Sequence, residues 1–138
     1  QEVSPVDYQP RPWQLLYLGG ADCDDTCAER LYFLRQLHAL LGRATERVER
    51  VYVQVNRAQT PDQTSIEATL AVQQPGMRVV QATAETLQQV LGSLQPITDH
   101  YIYVVDPVGN VMLYFTPANT PEEILSDIDR LLDQSSLG

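Results

Sequence analysis

Cysteine is scarce in this chain. Its 138 residues hold two, too few for a disulfide scaffold, and a chain of this length does not need one. Basic side chains are also few, nine against eighteen acidic ones, for a formal charge of −9. That balance repels nucleic-acid phosphates and anionic membrane surfaces, so both drop out as partners. No run approaches the ~18 uninterrupted apolar residues of a membrane span. There is no GxSxG elbow, no HExxH pair and no phosphate-cradling glycine loop, which removes the commonest hydrolase, metalloprotease and nucleotide-binding chemistries. Internal repeats and low-complexity tracts are lacking as well.

What remains is ordinary globular material. Hydrophobic residues make up 43% of the chain, enough for one compact domain with a real core. Residues 1–12, with Pro5, Pro10 and Pro12, read as an extended lead-in or tether. Residues 13–134 read as the domain, and 135–138 as a tail. The chain opens on Gln1 rather than Met, as a mature product or a segment freed of a signal or anchor would.

Trp13 to Leu18 is a near-continuous apolar run closed by Gly19-Gly20, the pattern of a buried central strand. From Asp24 to Leu41 the period becomes helical. Cys27, Leu31, Leu34, Leu37 or His38, and Leu41 share one face, and Gly42 is the stop. Val51 to Val55 alternates as a second strand. Thr60-Pro61 reads as a cap opening a helix that carries Ile66, Leu70 and Val72, closed by Gln74-Pro75-Gly76. Met77 to Val80 suggests a short strand, and Thr83 the cap of a helix through Leu87, Val90 and Leu91 to Gly92. Tyr101–Val105 and Val111–Phe115 are strands joined by a Pro- and Gly-containing turn at 106–110. Thr120-Pro121 opens a last helix bearing Ile124, Leu125, Ile128, Leu131 and Leu132. This order predicts an α/β fold of thioredoxin-like type, a central mixed β-sheet flanked by helices, parallel in its first half and antiparallel in its second.

The two cysteines fall in Gly19-Gly20-Ala21-Asp22-Cys23-Asp24-Asp25-Thr26-Cys27, where the first strand hands over to the first helix. Free N–H groups and the dipole at a helix N-terminus favour thiolate, the form that attacks disulfides and binds soft metals. The spacing is CxxxC rather than the CxxC of redox thioredoxins. If both residues were helical, their α-carbons would lie roughly 6 Å apart, within disulfide reach, yet the same spacing suits two sulfurs on one metal ion. Asp22, Asp24 and Asp25 oppose the dipole by raising a neighbouring thiol pKa. Their first reading is stabilisation of the helix N-terminus.

His100 precedes the strand 101–105, at the sheet end where such folds approach their cysteine pair. With Cys23 and Cys27 it makes a set of two sulfurs and one nitrogen, suited to copper and open enough to hand the ion on. Asp99 is placed to orient the His100 ring or to cap the loop. Structural zinc needs a fourth ligand. His38, the other histidine, lies on the order of 16 Å beyond Cys27 along the helix, out of reach. Gly19-Gly20 is read as allowing a sharp turn before the cysteines. Tyr101, Tyr103 and Tyr114 are read as packing or half-exposed faces.

These segments resemble the Sco/SenC family, the thioredoxin-like proteins of cytochrome c oxidase assembly. Trp13 to Gly19 followed by Cys23-Asp24-Asp25-Thr26-Cys27 looks like the family's strand and copper-binding CxxxC. Asp99-His100 looks like its Asp-His pair, and Val105 to Asn110 with Tyr114-Phe115 like the hairpin that follows. The chain departs where the family commonly has proline after each cysteine, having Asp24 and Ala28. It also has Asn56-Arg57-Ala58-Gln59 in place of an acidic segment, and a short interval between Cys27 and His100. The resemblance therefore implies a divergent member.

It implies a metallochaperone holding copper, as Cu(I), Cu(II) or both, through Cys23, Cys27 and His100. Delivery would be to a cytochrome c oxidase copper centre. The expected partners are an oxidase subunit or another copper chaperone. The expected protein is monomeric and periplasmic, tethered to the bacterial inner membrane only through an anchor outside this chain. Two alternatives stand beside it. One is a thiol–disulfide reductase in which Cys23 attacks and Cys27 resolves. The other is an inactive thioredoxin-like interaction domain.

Overall fold

A computed structural model describes residues 11–56, 65–91 and 100–135. The chain runs β1 (Trp13–Gly19), α1 (Asp25–Ala39), a 3-10 segment (Gly42–Arg47), β2 (Val48–Asn56), α2 (Glu67–Gln73), β3 (Arg78–Thr83), α3 (Ala84–Leu91), β4 (Ile102–Val105), β5 (Val111–Phe115) and α4 (Pro121–Gln134). The sheet order is β3-β2-β1-β4-β5. β1 pairs parallel to β2 and β2 parallel to β3, whereas β4 runs antiparallel to both β1 and β5. This is the mixed sheet expected from strand–helix alternation followed by a hairpin.

β1 is apolar along its length because it is central and both its faces are covered. Trp13, Leu15 and Tyr17 point to one face and pack with Leu31, Leu34 and Leu37 of α1 and with Ile124, Ile128 and Leu132 of α4. Leu18 points to the other face, with Val51, Val53, Val55, Tyr103 and Leu87 of α3. Each fully buried Leu, Ile or Val among them contributes about 1.5–3 kcal/mol.

The helix ends follow local chemistry. Asp24 caps α1, its carboxylate accepting from the Cys27 N–H at 2.9 Å. Thr120 and Glu123 form a reciprocal capping box on α4, with Pro121 in the first turn. Thr83 Oγ1 accepts from the Thr86 N–H at the start of α3. Asp106, itself buried, accepts from the Val108 and Asn110 N–H groups and closes the β4–β5 turn, with Gly109 at φ 99°.

Several expectations are corrected. α1 spans Asp25–Ala39 rather than Asp24 to Leu41, and Leu37, not His38, joins the buried face. β2 extends to Val48 and Asn56, and β3 runs on to Thr83. Val72 is 81% exposed, because in a helix as short as α2 only Leu70 turns inward. Thr60-Pro61, Gly92 and Asp99 lie outside the described residues.

Candidate functional site

The register places the site. Gly19 at the end of β1 lies opposite Gln54 near the end of β2, and Tyr17 lies opposite Ile102, the first residue of β4. The chain leaving β1 and the chain entering β4 therefore meet at one end of the sheet. That geometry brings His100 to the cysteine loop from the far side of the sequence.

Cys23 sits just before the Asp24 cap, and Cys27 is in the first turn of α1. The pair is closed as a disulfide with α-carbons 5.2 Å apart. Only Cys27 is helical, so the bridge spans the cap rather than two helical turns. Cys27 is 4% exposed and Cys23 is half-buried. The sulfur outside the helix is thus the more accessible one. Asp24 spends its charge on the helix end, as read from the sequence, and Asp25 lies in the first turn.

Gly19-Gly20 serves a different purpose from the one expected. Neither has a positive φ, so no sharp turn depends on them. Gly19 instead makes room. A Cβ there would run into the Tyr52 hydroxyl and lie 2.6 Å from its Cζ. The close approach lets the Tyr52 hydroxyl donate to the Gly20 carbonyl at 2.7 Å. That bond ties the cysteine loop to β2.

His100 holds a left-handed backbone, φ 72°, and no other non-glycine among the described residues does so. Histidine rarely adopts this conformation, and its persistence requires support from the surroundings. That support comes from β1, where the Tyr17 hydroxyl lies 2.6 Å from His100 Nδ1. The two rings are tilted with centroids 6.1 Å apart, and Tyr17 leans on Tyr52 at 5.8 Å. Tyr17, Gly19, Gly20, Asp22, Asp24, Cys27 and His100 line one small cavity of about 80 Å³.

Arg30 stands behind this cluster, one turn beyond Cys27. Burial lowers its pKa, while the nearby Tyr17 acts in the opposite direction. Its guanidinium lies over the Phe33 ring at 4.8 Å. Its Nε and Nη2 are buried without a hydrogen-bond partner among the described residues. Tyr17, Tyr52 and Arg30 carry no signal in the sequence that ties them to this site. The strand's period could have placed Tyr17 on the α1 side, but nothing in the sequence shows what its hydroxyl meets.

His38 lies at the opposite end of α1, its Nε2 2.6 Å from the Val48 carbonyl, where it joins the helix to β2. Tyr103 is buried and Tyr114 half-exposed, and Tyr101 stacks on Tyr114 with centroids 5.5 Å apart. In the oxidised form described, no three His, Cys, Asp or Glu side chains among the described residues form a metal-donor cluster. The donor set nevertheless suits a soft ion once the sulfurs are reduced, because thiolate and imidazole are both copper ligands.

A family model described as "Transmembrane-like, thioredoxin-like, C-terminal domain" matches residues 13–135. The chain belongs to this thioredoxin-like family. Among solved structures it is similar to yeast Sco1 with copper bound, at 15% identity and a TM-score of 0.69, covering 90% of this chain and 80% of that one. It is similar to Bradyrhizobium japonicum ScoI with copper bound, at 19% identity and 0.59, covering 86% and 84%. It is also similar to a thiol:disulfide interchange protein from Bacteroides sp., at 13% identity and 0.57, covering 91% and 76%. At these identities the likeness shows the thioredoxin-like fold. No curated protein matches the chain in sequence. Among the described residues, no helix of this family member is long and apolar enough to cross a membrane.

Proposed function

We propose that this protein is a divergent Sco/SenC-type metallochaperone, binding one copper ion through Cys23, Cys27 and His100. It would deliver the ion to a cytochrome c oxidase copper centre from a periplasmic, membrane-tethered position, as a monomer. The observation that carries the reading is the shared cavity: Cys27 and His100, distant in sequence, line the same small space. The cargo enters only after an external dithiol has reduced the bridge to two thiols and itself closed to a disulfide, because a disulfide offers no thiolate. Cu(I) then displaces the thiol protons and is held by two sulfurs, and the imidazole adds most for Cu(II). A site with three protein ligands leaves a face open for transfer to a partner oxidase subunit or another copper chaperone. Copper-bound Sco structures among the neighbours support this reading.

A second reading, a thiol–disulfide reductase, is favoured by the closed bridge and the unequal exposure of its sulfurs. Cys23, the more accessible, would attack a client disulfide. Cys27 would then attack the Cys23 sulfur, releasing the client as a dithiol and closing the pair again.

Copper titration of the reduced chain, the oxidised chain and a His100→Asn variant separates the two. Asparagine tolerates the left-handed backbone at position 100 better than alanine does. The chaperone reading expects one copper per reduced chain, none on the oxidised chain, and weaker Cu(II) binding in His100→Asn. Equal uptake by oxidised and reduced protein removes the sulfurs as ligands. A reduced chain that takes no copper but reduces a client disulfide gives the site to the second reading.

A further inference from the structure

The contact between Tyr17 and His100 engages one of the two ring nitrogens of the imidazole. Tyr17 is fully buried, and its ring is held against Tyr52, which is itself tied to the cysteine loop. The phenol therefore cannot swing to follow a moving histidine. Its hydroxyl lies 2.6 Å from His100 Nδ1. A neutral imidazole has one N–H and one lone pair, on different nitrogens, so the nitrogen engaged by the phenol is closed to a second partner.

We propose that Tyr17 is a positioning residue that occupies Nδ1 of His100 and so commits the ring to binding copper through Nε2. In the metal-bound form Nδ1 carries the proton and donates to Tyr17 Oη, and Nε2 presents its lone pair to the ion. The left-handed backbone of His100 and the buried phenol act together: one sets where the ring starts, the other fixes its rotation and tautomer. This inference rests on the copper reading of the site.

The test uses the full chain and its Tyr17→Phe variant, a nearly isosteric change that removes only the hydroxyl. In the metal-free protein with 15N-labelled histidine, the ring-nitrogen resonances and tautomer ratio of His100 should change in the variant. Unchanged resonances overturn the proposal without reference to copper. In the reduced, Cu(II)-loaded protein, selective labelling of either ring nitrogen with pulsed EPR should find Nε2 directly bound. Direct binding through Nδ1 overturns it, since Tyr17 would then compete with the metal.

Tyr17→Phe should weaken Cu(II) binding about ten- to a hundredfold, the usual cost of losing a group that orients a ligand, and leave Cu(I) on the two thiolates nearly unaffected. In a His100→Asn background the same substitution should change copper affinity no further, an outcome that general destabilisation would not produce. Equal Cu(II) affinity of parent and Tyr17→Phe overturns the proposal and leaves the copper site standing. Failure of the reduced parent to take copper overturns the site and the Nε2 assignment together.

Discussion

The two ends of the central sheet are built on opposite plans. At the cysteine end, Tyr17, Gly19 and His100 line a cavity of about 80 Å³, and Tyr52 packs against Tyr17 and close to Gly19. At the other end, Arg11, Gln14, Glu49, Arg78 and Asp106 line a larger cleft of about 380 Å³. The larger space holds the poorer chemistry. Its acids are already engaged: Glu49 accepts from Gln14 and pairs with Arg78, and Asp106 closes the hairpin turn. At the small site, by contrast, Cys27 of the disulfide and an imidazole held by a buried phenol line one space. The smaller space is the one that a cysteine sulfur and an imidazole share.

If the cysteine end is as closely fitted as this, it should tolerate change badly. The largest effect is expected from Gly19→Ala, because the new methyl meets the rigid, buried Tyr52 ring. A loss of about 1–3 kcal/mol is expected in chemical unfolding of the oxidised protein. Gly20→Ala is the matched control. Its Cβ would come no nearer than 4.0 Å to Asp22, and its effect should stay within about 0.5 kcal/mol. Equal effects at the two glycines would break the contrast.

Asp24→Ala comes next. It removes the carboxylate that caps α1 at Cys27 and should cost ~1 kcal/mol, with Asp24→Asn restoring most of it in thermal melts.

The opposite end supplies the smaller effects. Arg78 and Glu49 are 3.3 Å apart with side chains 58% and 25% exposed. A double-mutant cycle on the pair should give less than about 1 kcal/mol, and less still in high salt. A larger coupling would mean that this end is also a fitted site.

The smallest effect is electrostatic and belongs to the α4 cap. The Thr120 backbone N–H, donating to Glu123, holds that carboxyl below the usual carboxylate range. A lowered folded-state pKa stabilises above the unfolded value of about 4.3, and the contribution is lost as pH falls through the lowered value. Glu123→Gln should therefore melt slightly below the parent at pH 7, with the gap closing in acid. A gap that persists in acid would assign it to cap geometry instead of charge.

The architecture was legible because it rests on local signals. Apolar runs, the Thr120-Pro121 helix start and the turn at 106–110 sufficed for a mixed sheet with a parallel and an antiparallel half, since strand period and cap chemistry are properties of neighbouring residues. The candidate site was legible in its members but not in its mechanics. Cys23 and Cys27 stand together in the chain, and His100 was named from its place before β4. The roles of Tyr17, Tyr52 and Gly19 were not readable, because each depends on an atom contributed by another strand. Gly19 illustrates the limit: a glycine required for space looks the same in sequence as one required for a turn.

By itself, then, the sequence determined which segments are strands and helices, where the thiols lie relative to the first helix, and which donors the chain offers. Those follow from local backbone preference and side-chain chemistry. Only the tertiary structure decided that β1 and β4 lie side by side. That pairing brings the Tyr17 hydroxyl to His100 Nδ1. A hydrogen bond between residues 83 positions apart exists only because the packed sheet has already met the entropy of bringing them together.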